Sequence, residues 1–113
     1  MAYYEQLTKQ FREALGKQKS LTEKKMMGGM CFLLDGNMVG GADRTKDGQG
    51  RFMFRVGKNN DAIAADLPGA QEMIMGRQRM SGLYFVTEEY CTPEVMTQWV
   101  GLALGFTTSL PPK

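Results

Sequence analysis

A two-residue alternation in the stretch from Lys24 to Val56, KKMMGGMCFLLDGNMVGGADRTKDGQGRFMFRV, constrains this chain more than any other feature. Met30, Phe32 and Leu34 project to one side of an extended backbone and Cys31 and Leu33 to the other, which is the period of a β-strand. Asp35-Gly36 then fits the two central positions of a hairpin turn, where both residues take positive φ and Gly does so without a steric penalty. A short second strand, Asn37 to Val39, completes the hairpin. Past a polar loop from Ala42 to Gly50, Phe52, Phe54 and Val56 alternate with Arg51, Met53 and Arg55, so bulky groups face inward and two guanidinium groups outward. The stretch therefore predicts a β-meander. The pairs Gly28-Gly29 and Gly40-Gly41 mark a bulge, a sharp bend or close backbone approach. A phosphate-cradling reading of the first pair is weak, because no Gly-Lys-Ser/Thr ending follows and a strand succeeds it instead of a helix.

Helices flank the meander. Tyr4, Leu7, Phe11, Ala14 and Leu15 recur every three or four residues, predicting an amphipathic helix from Ala2 to about Lys17 with Gly16 as its stop. After Val56, Asn59 or Asn60 is the expected cap of a short helix through Asp61, Ile63, Ala64 and Leu67, ended by Pro68-Gly69. Glu72 to Met75 and Leu83 to Thr87 read as two more strands, joined by a solvated turn, Gly76 to Gly82, that displays Arg77 and Arg79. Thr92, Pro93 and Glu94 then announce a terminal helix by cap, fixed φ and negative charge in turn. Its apolar stripe, Val95, Met96, Trp99, Val100, Ala103, Leu104 and Phe106, reaches about Ser109, and Trp99 is its core anchor. The expected class is α+β, with the order α-β-β-β-α-β-β-α along the chain and an antiparallel sheet carrying its helices on one face.

With 113 residues, 42% of them hydrophobic, the chain suits one domain spanning residues 1–113. The 14 basic and 12 acidic residues leave a net charge of +2, too little to imply a polyanion partner by bulk charge. The longest apolar run, Met30 to Leu34, is far short of a bilayer span, and the charged amphipathic N-terminus lacks a signal-peptide core. A cytoplasmic protein without a membrane partner is expected. Cys31 and Cys91 have neither C-x-x-C spacing nor a histidine to complete a zinc set, so both are read as structural thiols and no metal or other cofactor is expected. The absence of histidine also removes Ser-His and Cys-His catalysis.

Two groups of residues remain as candidate surfaces. Lys17, Lys19, Lys24 and Lys25, with Arg77 and Arg79 if folding gathers them, would form an anionic-partner patch and admit nucleic acid. Cys31, Leu33, Met53 and Arg55 lie on the second sheet face, which is too apolar to stay fully wet and is read as a homodimer interface. A third reading, an enzyme using Lys25 or Cys91 beside a carboxylate, has no constellation at diagnostic spacing.

The segments TEKKMMGGMCFLLDGNM at Thr22 to Met38, RFMFRVG at Arg51 to Gly57, LPGA at Leu67 to Ala70 and WVGLALGFTTSLPPK at the end resemble the N-terminal domain of the TfoX/Sxy family over nearly the whole chain. The resemblance implies a bacterial, cytoplasmic α+β domain similar in architecture to secretion-chaperone-like folds, in a family named for regulators of natural competence. It implies a non-enzymatic regulator that binds another protein or itself, and no catalytic residues are carried over. Two departures stand out. The larger regulators carry a second, helix-hairpin-helix domain, none of which is expected within residues 1–113, and the loop Ala42 to Gly50 is expected to be longer than the connection usual in the family.

Overall fold

The computed structural model describes residues 5–18, 20–26, 29–45 and 47–112, with the side chains of Met26 and Met75 set aside. Tyr4, Lys19 and Gly28, all singled out from the sequence, lie outside these residues. The elements are α1 (Glu5–Leu15), β1 (Leu21–Met26), β2 (Gly29–Leu34), β3 (Asn37–Arg44), β4 (Gly50–Arg55), α2 (Asp61–Ala65), β5 (Gln71–Met75), β6 (Gln78–Thr87) and α3 (Pro93–Thr108). The class is α+β, as expected. Six strands form one sheet in the order β1-β2-β3-β4-β6-β5, every neighbouring pair antiparallel.

Several local expectations hold. Asp35 and Gly36 take φ of 53° and 83° between β2 and β3, Gly16 takes φ 69° where α1 ends, and Thr92 Oγ1 accepts a bond from the Val95 amide at 3.3 Å with Pro93 opening α3. Others need correction. Against five expected strands there are six among the described residues, because Leu21–Met26, in the basic segment before the meander, pairs with β2 along its whole length. Asn60 does not cap α2 with its side chain; its Nδ2 donates instead to the Val56 carbonyl at 3.0 Å, closing the short 3-10 turn Lys58–Asn60. The connection after β3 is also tighter than its composition suggests. Both strands extend into it, and Thr45 accepts from the Gly48 amide at 2.9 Å and donates its own amide to Gln49 at 2.9 Å.

The core lies between one sheet face and helices α1 and α3. Leu7, Phe11 and Leu15, spaced by four on α1, meet Phe32, Phe52 and Phe54, which alternate inward from β2 and β4. Rings run in series through this layer. Phe11 stacks on Phe32 at 4.9 Å and on Phe54 at 5.5 Å, Phe54 stacks on Trp99 at 5.4 Å, and Trp99 meets Tyr84 at 5.6 Å. Trp99 is fully buried, and its indole N–H donates to the Pro68 carbonyl at 3.1 Å, so the polar edge of the anchor is satisfied. The Gly40 and Gly29 positions show close backbone approach: a Cβ at Gly40 would overlap the Met53 carbonyl, and one at Gly29 the Ala42 carbonyl.

Candidate functional site

Strand register decides what the sheet shows on the face away from α1 and α3. Lys24 pairs with Cys31, Cys31 with Gly41, Gly41 with Met53 and Met53 with Phe85, so these five residues form a row across five strands on the open side. One step along, Asp43 pairs with Arg51; one step the other way, Leu33 pairs with Met38 and Arg55 with Leu83. Alternation puts Asp43, Arg51, Leu33, Arg55 and Leu83 on the same side, and a register shift in the β2–β3 pairing, where Val39 is the extra residue, brings Met38 opposite Leu33. The four residues read from the sequence as an interface, Cys31, Leu33, Met53 and Arg55, thus share one face.

That face is concave. Gly41 contributes no side chain between Cys31 and Met53, and a Cβ there would strike the Met30 carbonyl, so β2 and β3 run closer than side chains would allow. A hollow of about 270 Å³ results, lined by Met30, Cys31, Gly41, Asp43, Arg51, Met53, Met73, Ile74 and Phe85 among others. Ile74, at the far edge on β5, is 60% exposed. Apolar groups dominate the lining, and the polar contribution is one ordered pair. Arg51 donates from Nε and Nη2 to the two Asp43 carboxylate oxygens at 2.8 and 3.2 Å while its guanidinium lies 3.7 Å over the Phe85 ring. Lys24, Leu33 and Arg55 lie outside the hollow: Lys24 ends the row at the β1 edge, and the Arg55 guanidinium turns past the end of the face to lie 5.2 Å from the Phe106 ring of α3, in a separate recess with Gly57, Ser81 and Gly82.

The basic residues do not come together. Lys17 is exposed beyond α1, while Lys24 and Lys25 sit on the β1 edge with their side chains on opposite faces by register. Arg77 occupies the β5–β6 turn, at the other edge of the sheet. Five strand spacings separate those edges, about 24 Å. Arg79 is not in a solvated turn, because β6 begins at Gln78 and carries it into a polar hub. Its Nη2 lies 2.8 Å from both Asp61 oxygens and donates to the Tyr84 hydroxyl at 2.7 Å. Glu72 Oε2 is 2.8 Å from Arg79 Nε but off the N–H direction, so it acts by charge without a formed hydrogen bond. The Gly82 amide donates to Asp61 at 2.8 Å, and that bond, followed by Arg79, holds the Asp61 carboxyl below its usual range. The hub fastens α2 to β6. Nothing in the local sequence joins Arg79 to a carboxylate 18 residues earlier, so its role was not readable there.

Both thiols are poor nucleophiles. Burial, with the nearby Asp43 charge second, pushes Cys31 up, and burial pushes Cys91 to about 11, so each stays protonated near neutrality. Cys91 shares a separate cleft of about 310 Å³ with Glu13 between α1 and α3, yet its thiol is the wrong protonation state for attack there. Among the described residues, no group of three or more His, Cys, Asp or Glu side chains could hold a metal ion, and no helix is long and apolar enough to cross a membrane.

The fold and site define a small α+β domain with one packed sheet face and one open, hollowed, largely apolar one. A family model described as the TfoX N-terminal domain matches residues 13–107, and the chain belongs to that family. Comparison with curated proteins and with solved structures gave no match.

Proposed function

We propose that this chain is a regulatory domain of the competence-regulator type that acts by binding another protein through the open face of its sheet. Family membership supports the regulatory reading. The single observation that carries the mode of action is the hollow on that face, where methionine, phenylalanine and isoleucine side chains surround a glycine floor and one ordered ion pair. Apolar concavities of this kind bind by exclusion of water, and methionine adapts its shape to what enters. Nothing in this mode requires a reactive group, which suits two protonated thiols and a chain without histidine.

The test is affinity capture from native cytoplasm with two baits, the parent chain and Met53→Asp, read by mass spectrometry. A protein recovered by the parent and lost by the variant is expected. Identical recovery from both baits contradicts the reading. Direct nucleic-acid binding is the alternative, and the wide separation of Lys24 and Lys25 from Arg77, together with the engagement of Arg79, weighs against it. A shift of labelled DNA at low salt that disappears steeply as salt rises would restore it.

A further inference from the structure

We propose that the recess at the end of β4, beside Phe106 of α3, binds the phosphoryl group of a small phosphate monoester, with Arg55 and Lys58 meeting its charge and Ser81 and Asn59 bonding its oxygens. The site goes beyond the reading of the open face, because none of its residues lines the hollow there.

Backbone packing builds the recess. The Gly82 carbonyl accepts from the Val56 amide at 2.8 Å and from the Gly57 amide at 3.3 Å, which draws β6 against the chain leaving β4. Both glycines hold left-handed φ, 79° at Gly82 and 85° at Gly57. A Cβ at Gly82 would strike the Gly57 backbone, and one at Gly57 would strike the Phe106 ring. What remains open above them is a recess of about 390 Å³, in the size range of small-molecule sites and larger than a phosphate alone requires. Leu83 and Phe106 give the body of the ligand an apolar wall.

Charge selects a dianion. Arg55 and Lys58 both line the recess, and among the described residues no carboxylate does. Neither cation has an ion-pair partner among those residues. The Phe106 ring meets the Arg55 guanidinium at 5.2 Å without neutralising it, so its fork of donors stays open to oxygens. Asp61 reaches only the Gly82 amide at the back of the recess, and Arg79 meets its charge at 2.8 Å. Two cations without a counter-charge match the nearly two negative charges of a phosphate monoester better than the single charge of a carboxylate. Ser81 Oγ accepts a long bond from Arg79, at 3.5 Å, and its own proton is left to donate, while Asn59 at the exposed rim adds an amide donor. Nucleic acid would call for a line of cations, and the recess supplies two at one point.

The experiment follows the backbone amides of the isotope-labelled full chain by NMR during titration with inorganic phosphate, ribose phosphate and acetate. Saturable shifts centred on Gly57, Lys58 and Gly82 are expected with both phosphates, at lower concentration for the ester, and none that saturate with acetate. Arg55→Gln and Lys58→Gln should each weaken ribose phosphate about tenfold, whereas Lys24→Gln, at the β1 edge, should leave it unchanged. Urea midpoints are compared first, and if Arg55→Gln lowers its own, the exposed Lys58 carries the test. Shifts that fail to saturate, that acetate reproduces, or that Lys24→Gln weakens as much as Lys58→Gln mean an adventitious ion only and overturn the proposal. Inorganic phosphate binding more tightly than ribose phosphate overturns the monoester. A single-stranded oligonucleotide that displaces ribose phosphate from the same amides at lower concentration assigns the site to nucleic acid and overturns the small ligand.

Discussion

Arg51 lies with its guanidinium carbon 3.7 Å from the centre of the Phe85 ring while both oxygens of Asp43 take its Nε and Nη2. One flat cation thereby ties β3, β4 and β6 together across the open face. Lysine keeps the charge but has neither the plane to stack nor the fork to bridge two oxygens. Arg51→Lys is expected to cost about 1–2 kcal/mol in urea unfolding. An unchanged midpoint would place the pair among exposed ion pairs that contribute nothing measurable.

Two glycines should respond to alanine with opposite signs. At Gly41 a Cβ meets the Met30 carbonyl, which is backbone and cannot turn aside, so Gly41→Ala is expected to cost about 1–3 kcal/mol by overpacking. At Gly101, exposed on α3, a Cβ meets nothing within 4 Å, and alanine should stabilise the helix by up to about 1 kcal/mol. Thermal midpoints that moved the same way would contradict the placement of one of the two.

Trp99 joins the ring series of the sheet to the loop at Pro68. Trp99→Ala is expected to cost about 3–5 kcal/mol for lost contacts and the cavity left behind. Trp99→Phe keeps much of the ring packing but orphans the Pro68 carbonyl that the indole N–H satisfies at 3.1 Å, for an expected loss between zero and the alanine value. Equal losses for the two variants would mean that the ring contacts carry none of the difference.

Acid should loosen the attachment of α2. The Asp61 carboxyl is held below its usual range in the folded chain, chiefly by the Gly82 amide and then by Arg79. A lowered folded pKa stabilises the fold at pH above the unfolded value, near 4, and that contribution fades as pH falls toward the folded value. Glu23, lowered by its bonds from Arg12 at 2.5 and 2.6 Å, acts in the same direction between β1 and α1. Chemical denaturation from pH 6 to 3 should therefore show a shallower decline for Asp61→Asn than for the parent, from a lower starting stability. Parallel curves would remove Asp61 as a contributor.

What the sequence made readable follows from how locally each feature is encoded. The Asp35-Gly36 turn, the Thr92-Pro93 helix start and the inward alternation of Phe52 and Phe54 each depend on a few adjacent residues, and each stands in the fold. Strand β1 was hidden because it sits at an edge: Thr22, Glu23, Lys24 and Lys25 leave no apolar alternation, and Glu23 earns its inward place only by meeting Arg12 from another element. The far half of β3, Gly40-Gly41-Ala42, was hidden because close strand approach excludes the bulky side chains that usually betray a strand. Arg79 read as solvent-facing for the same reason, since its partners Asp61, Glu72 and Tyr84 come from elsewhere in the chain. The open face itself was legible, because alternation alone sorted Cys31, Leu33, Met53 and Arg55 onto one side.

Oxidative footprinting of methionines, with and without a bound partner, tests the recognition surface most directly, because the reagent reports how accessible each thioether is. Met53 and Met73 line the hollow, whereas Met80 is exposed elsewhere on β6 and serves as the internal control. Binding is expected to slow oxidation of Met53 and Met73 and leave Met80 at its free rate. Unchanged rates at Met53 and Met73 in a saturated complex, or protection confined to Met80, would show that recognition happens on another surface.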